Sequence, residues 1–256
     1  MNALLRVLLA AALITLVFEA IFGEVIINCQ KARRNKLQFM ASVQIKEKHK
    51  CGGFLINPRF VLTAAHCFRE GMSVVIGTHN IDKANPNLWQ NRYEVKGNHT
   101  PKSYKDPKTG DDIMLLELTK AVHLTDDVKI IPMSKKDDRV QPYQKCQVAG
   151  WGITEKTQTA VNDLMVTDVS IISFETCRNE WKNVNKNLPP GVMCAGGNEK
   201  SGACQGDSGG PLVCSGVAVG IVSFNLNGNC KYPNIPNVYT DIAKHRAWID
   251  NVLKGV

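Results

Sequence analysis

The chain has no C-x-x-C pair and no H-E-x-x-H, and its six histidines are scattered through 256 residues, so the spacings that build zinc sites are missing. Aromatics are only 7% of the residues and form no ladder among the basic ones, which leaves a nucleic-acid reading without stacking partners. No internal repeat of fixed period and no low-complexity segment appears, so solenoids and repeat arrays are excluded. Acidic residues are the scarcer charge, 23 against 31 Lys and Arg, and the net charge of +8 suits acidic partners. The small basic cluster Arg33, Arg34 and Lys36 reads as a solvated face.

The single long apolar run stands at the start. Met1 to Gly23 carries one basic residue, Arg6, then apolar residues from Val7 to Phe18 and small residues near Ala20 and Gly23, the layout of a secretory signal. A membrane anchor is the competing reading of Leu4 to Phe22, but Arg6 and Glu19 interrupt that run and no second span follows, so no anchor is expected. Nine cysteines agree with export, because disulfides persist outside the cytosol, although their spacing does not fix which joins which.

After the signal the pattern is β, as one large all-β unit or two small ones of roughly 230 residues together, long enough to bury about 70% of the unfolded surface. Runs rich in Val, Ile and aromatics occur at Phe39 to Ile45, Phe60 to Ala64, Ser73 to Ile76, Leu115 to Leu118, Gln147 to Trp151 and Val217 to Phe224, separated by Gly, Pro and Asn. One helical stripe closes the chain, Ile242, Ala243, Arg246, Ile249, Val252 and Leu253, with Asp241 as its cap.

Residues 204–211 read C-Q-G-D-S-G-G-P. Glycines on both sides of Ser208 permit a bend that lifts its hydroxyl clear and aims the Gly206 and Ser208 N–H groups at one spot, where a carbonyl oxygen would become an oxyanion. Alone, the segment is also an ordinary Gly-rich turn. Its meaning depends on a base elsewhere, and T-A-A-H-C supplies His66 while D-D-I-M-L-L supplies Asp112. A lone His or Asp in such places is usually structural. Together the three make a nucleophile, a base and an orienting carboxylate. A serine hydroxyl is a poor nucleophile, so His66 would take its proton and later return it to the leaving amine, with Asp112 fixing the tautomer. Asp111 is the rival, and Asp112 is preferred because it directly precedes I-M-L-L whereas Asp111 would point away.

The order His, Asp, Ser, with T-A-A-H-C, D-I-M-L-L and G-D-S-G-G-P, resembles the chymotrypsin family of serine proteases across almost everything after the first 25 residues. The resemblance implies two packed six-stranded antiparallel β-barrels, about 26–140 and 141–240, with a C-terminal helix at about 241–254. Domain limits would be a signal at 1–23, a dipeptide at 24–25 and a protease domain at 26–256. It implies the bridges Cys51 to Cys67, Cys146 to Cys214, Cys177 to Cys194 and Cys204 to Cys230, and leaves Cys29 as the odd thiol, open to a small-thiol cap or to joining two molecules. Ser223 takes the place of the family serine that bonds the triad aspartate.

By the same resemblance Gly202, followed by Ala203, forms the floor of the primary specificity pocket, with Gln205, Ser223, Phe224, Asn225 and Asn237 around it. A preference for Lys or Arg needs a buried carboxylate there, and none is present, so cleavage after uncharged residues is expected. Activation would follow a cut before Ile26, whose new amino group pairs with Asp207. D-I-M-L-L and the short segment after the signal look most like granzymes and mast-cell or neutrophil granule proteases. The implied partners are protein or peptide substrates, serpin-type inhibitors and acidic proteoglycans, with no nucleic acid. No cofactor or metal is expected, since Gly77 to Trp89 offers calcium only the Asp82 carboxylate. Asn98 opens the one N-x-S/T site. The expected place is outside the cell or in secretory granules. A relative that has lost catalysis and only binds is the other function class, and retention of all three triad residues favours the enzyme.

Overall fold

Six strands of the first half, β2 (Met40–Ile45), β3 (Lys48–Asn57), β4 (Phe60–Thr63), β5 (Met72–Ile76), β6 (Arg92–His99) and β7 (Met114–Leu118), close into an antiparallel barrel in the order β2-β3-β4-β7-β6-β5. The computed structural model that gives this arrangement describes residues 29–83, 85, 88–154, 157, 159–196, 202–203, 206–226 and 235–255. A second barrel is built from β8 (Lys145–Gly150), β9 (Met165–Ile172), β10 (Val192–Ala195), β11 (Pro211–Cys214), β12 (Val217–Phe224) and β13 (Asn237–Asp241), closed by pairing of β8 with β9. The all-β, two-barrel expectation with a terminal helix therefore holds.

Each barrel buries an apolar interior, which is the main driving force for closing it. Val43, Phe54, Val61, Leu62, Val74 and Leu115 are buried in the first, and Val148, Val169, Met193, Leu212, Val222 and Tyr239 in the second. A third cluster, with Met40, Val75, Ala149, Trp151 and Val166, cements one barrel to the other. Strand β6 gave no signal in the sequence because R-Y-E-V-K-G-N-H is polar on its open face, although its exposure alternates as a strand's should.

The N-terminal boundary differs from the expectation. The expected first barrel runs from about 26, yet β1 (Gln30–Lys31) pairs with β9 of the second, Gln30 opposite Val166 and Lys31 opposite Met165. The entering chain thus crosses to the far barrel, and Lys31 Nζ lies 2.9 Å from Asp163. A two-residue strand carries no periodicity, so its partner is a tertiary choice.

Two α-helices are present among the described residues. Helix α1 (Phe174–Asn183) was not expected, because only Cys177 and Trp181 of its ten residues are buried; its cap is legible, the Ser173 hydroxyl accepting from the Thr176 N–H at 3.0 Å. Helix α2 (Ile242–Lys254) lies where the stripe put it, with the Asp241 side chain accepting from the Ala243 N–H at 2.9 Å. No helix among the described residues is long and apolar enough to cross a membrane.

Candidate active site

His66 sits in a single 3-10 turn, Ala65–Cys67, directly after β4, and Asp112 stands two residues before β7. Because β4 and β7 pair, with Thr63 opposite Met114, the two side chains meet at the same barrel rim. Asp112 is 1% exposed and its carboxylate is filled. Oδ1 accepts from the His66 backbone N–H at 2.9 Å, Oδ2 lies 2.7 Å from His66 Nδ1, and Ser223 Oγ donates to Oδ2 at 2.5 Å. An ionised carboxylate only accepts, so the proton of that ring sits on Nδ1 and leaves Nε2 as the acceptor nitrogen. Thr240 Oγ1 donates to the Asp112 carbonyl at 2.9 Å, a contact the sequence did not suggest. Burial, followed by the charges of Asp112 and Asp106, pushes the Tyr104 phenol up to about 12 and keeps it a neutral donor.

Ser208 comes from the other barrel on a loop pressed against the first. The Gly52 N–H donates to the Ser208 carbonyl at 2.8 Å, and Gly209 N–H donates to Val222 at 2.8 Å. Gly209 has φ +82, and a Cβ there would fall 2.1 Å from Thr63 Oγ1 and 2.5 Å from the Gly52 carbonyl, so only glycine fits. Among the described residues no hydrogen bond joins the Ser208 hydroxyl to His66, and the N–H groups of Gly206 and Ser208 are not taken by any partner.

The same loop is held from beneath. Asp207 Oδ1 accepts from the Gly152 N–H at 2.8 Å, and a side chain at Gly150 would collide with that oxygen. His49 Nε2 lies 2.9 Å from the Gly206 carbonyl, which can only accept, so Nε2 carries the proton and Nδ1 accepts from Ser42 Oγ at 2.9 Å. Burial lowers the His49 pKa to about 4, partly offset by its bond to Gly206, and keeps the ring neutral. Behind it Gln44 donates to Ser42 and Arg92 to Gln44, a polar chain that runs through the first barrel to the Ser208 loop. Sequence reasoning missed all four of these residues; K-H-K-C offers no pattern that marks His49.

In the pocket region Ala203 is buried and Gly202 half-buried. Asn237 is 3% exposed, and its amide donates to the Ala203 carbonyl at 3.1 Å, which ties β13 to that segment. Phe224 packs edge-on against Trp181 of α1, ring centres 5.5 Å apart, and Trp181 Nε1 donates to the Pro236 carbonyl at 3.1 Å. Asn225 is half-buried beside them. Ile26, Gln205, Cys204 and Cys230 lie outside the described residues. The bridges Cys51–Cys67, Cys146–Cys214 and Cys177–Cys194 are formed, and Cys29 is partly buried just ahead of β1. His66 stands near the first bridge, whose sulfurs are spent in the disulfide and offer a metal no thiolate. Asn98 is exposed on β6. A cavity of about 810 Å³, lined by residues such as Val140, Ile171, Met193 and Val217, lies in the second barrel and includes none of these site residues.

Two barrels that dock with His66, Asp112 and Ser208 at their seam define a class of protein. The trypsin family profile matches residues 26–249. The chain belongs to the trypsin family. It is 38% identical to mast cell protease 2 of Ovis aries over 251 residues, 96% of this chain and 97% of that one. It is 37% identical to chymase of Canis lupus familiaris over 237 residues, 91% of each. The solved structure of neuropsin, a serine protease of mouse brain, superposes with a TM-score of 0.80 at 31% identity, covering 89% of this chain and 100% of that one. The chain is accordingly a serine endopeptidase, a hydrolase acting on proteins or peptides.

Proposed function

We propose that this endopeptidase works through a Ser208, His66 and Asp112 triad, cleaves after uncharged residues, and is latent until cut before Ile26. The observation that carries the reading is the double hold of Asp112 on His66, at the backbone N–H and at Nδ1, with Ser223 closing the carboxylate. Ser208 attacks the scissile carbonyl, His66 Nε2 takes its proton and passes it to the leaving amine, and Asp112 stabilises the imidazolium between. The hydroxyl and imidazole tighten together when substrate arrives, as catalytic hydrogen bonds are often long without it. The uncommitted N–H groups of Gly206 and Ser208 would receive the oxyanion.

Specificity follows from the floor. Gly202 and Ala203 supply no charge, and the Asn237 side chain shortens the slot, which favours Ala, Val, Leu or Met over Phe and Tyr and disfavours Lys and Arg. Substrate would lie along Ser223 to Asn225 as an added strand, with Gln205 at the mouth. Signal removal after Gly23 leaves Glu24 and Val25, and trimming that dipeptide frees the Ile26 amino group to pair with Asp207. Export, storage on acidic proteoglycans through the basic surface, inhibition by serpins and glycosylation at Asn98 complete the reading. Protein beginning at Ile26 should take a fluorophosphonate on Ser208 and cut a peptide library after small or medium uncharged residues. Dominant cleavage after Arg or Lys would refute the pocket assignment, and full activity with Glu24 and Val25 attached would refute the latency.

A further inference from the structure

The two aspartates at the head of β7 face opposite ways, and Asp111 has found a histidine of its own. Its Oδ1 lies 2.9 Å from Nε2 of His245, near the start of α2. The other ring nitrogen, Nδ1, lies 2.8 Å from the Asp241 carbonyl oxygen. A backbone carbonyl only accepts, and so does an ionised carboxylate, so an imidazole between them must carry a proton on each nitrogen. Asp111 keeps the matching charge. Burial pushes its carboxyl up, but hydrogen bonds from Ser103 and His245 and the charge of the imidazolium prevail and hold it below the usual range.

The surroundings leave this pair little freedom. His245 is 7% exposed, and a Cβ at Gly191 would stand 3.1 Å from its Cε1. Among the described residues, Asp241, whose side chain caps α2, feels the charge of His245, as it does that of Lys244 next to it on the helix. Beneath Asp111 the backbone is left-handed, φ +55, directly after Gly110 at φ +95. Aspartate tolerates that region without favouring it, so contacts must hold the turn there. Ile113 N–H donates to the Asp111 carbonyl at 2.8 Å, and the bond to His245 ties the turn to α2. This turn sets the direction of the next side chain, which is Asp112. Thr240, which holds the Asp112 carbonyl, stands just before the cap of the same helix.

We propose that His245, as an imidazolium paired with Asp111, is a positioning residue for Asp112: the helix start grips the turn on one side so that the carboxylate on the other stays aimed at His66. The inference rests on the role proposed above for Asp112. Its consequence is that a contact on the back of the seam controls turnover without touching substrate.

Four variants of the processed protein test it, Asp111→Gly, Asp111→Asn, His245→Phe and the double Asp111→Gly/His245→Phe, with active sites counted by fluorophosphonate so that each rate is per functional site. Glycine accepts the positive φ and removes only the carboxylate. Asparagine can still bridge by donating its amide to a neutral imidazole. Asp111→Gly and His245→Phe should each lower kcat about tenfold with KM held within about twofold, the expected result of a slightly misaimed catalytic group. The double variant should be no slower than Asp111→Gly, Asp111→Asn should recover most of the loss, and the low-field proton resonance between His66 and Asp112 should move in the glycine variant. A pair that merely staples α2 would lower Tm and the labelled fraction while leaving kcat per site and that resonance unchanged, and this result, or additive losses in the double variant, would overturn the proposal. Wild-type protein that takes no label would instead overturn the triad assignment, and this inference with it.

Discussion

In the first barrel, His66 and Asp112 stand at the ends of two paired strands, so the hydrogen-bonded register that closes the barrel also brings them together. In the second, Ser208 rides on a loop that Val222 of β12 and Gly152, just after β8, hold from one side and the first barrel holds from the other. Gly52 of β3 takes the Ser208 carbonyl, Thr63 of β4 walls in Gly209, and His49 of β3 takes the Gly206 carbonyl. All three belong to the first barrel. His66 and Asp112 thus meet through the first barrel's own strand register, with Ser223 and Thr240 of the second adding hydrogen bonds to Asp112, whereas the Ser208 loop lies between strands and takes its shape from both barrels. The lesson is that Ser208 and His66 are brought to one seam by docking two barrels, and that damage to the first barrel reaches both.

The largest test of that contrast is Asp112→Asn, which keeps the barrel intact and removes only the charge and correct tautomer from His66. Turnover should drop ~10⁴-fold with the fold preserved, measured as kcat on an uncharged peptide beside a circular dichroism melt; a loss under about tenfold would deny Asp112 its role.

The disulfides sharpen the comparison next. Cys146–Cys214 joins β8 to β11 across 68 residues, whereas Cys51–Cys67 ties β3 to the His66 turn across 16. Chain entropy makes the first bridge worth about 4 kcal/mol and the second about 3. Paired Cys→Ser replacement should thus cost the second barrel's bridge more stability in urea titrations, while the first barrel's bridge costs more activity per folded molecule. The reverse pattern would mean that the His66 turn needs no clamp.

A smaller effect concerns the neighbour's grip on the loop. His49 is partly buried with a folded pKa of about 4 against an ordinary 6.5, so as pH falls the unfolded chain takes up the proton first. Its contribution to stability is present above about 6.5 and declines toward about 4. Tm measured across that window should fall less steeply in His49→Asn than in the wild type, and identical slopes would assign the whole decline to carboxylates. Smallest is Asn237→Gly, which lengthens the slot; the kcat/KM ratio of Phe to Val substrates should rise about tenfold, and an unchanged ratio would remove Asn237 from the specificity wall.

Strand content, the terminal helix and the three residues of the seam were legible in the chain because each rests on local chemistry: β-branched runs punctuated by Gly and Pro, a 3.6-residue stripe behind Asp241, and a serine among glycines with a His and an Asp in family order. Asp112 rather than Asp111 is also read from local position, since it directly precedes the apolar run of β7, but what turns the two side chains apart is the left-handed turn at Asp111, φ +55, and not extended chain. What tertiary structure alone decided are the partnerships across long sequence separations. That β1 joins β9, that Phe224 rests on Trp181, that His49 reaches Gly206 and that His245 reaches Asp111 leave no periodic trace. A polar residue in a turn reads the same whether its partner is water or a carboxylate 134 positions away, and only packing, which excludes the water, settles which it is.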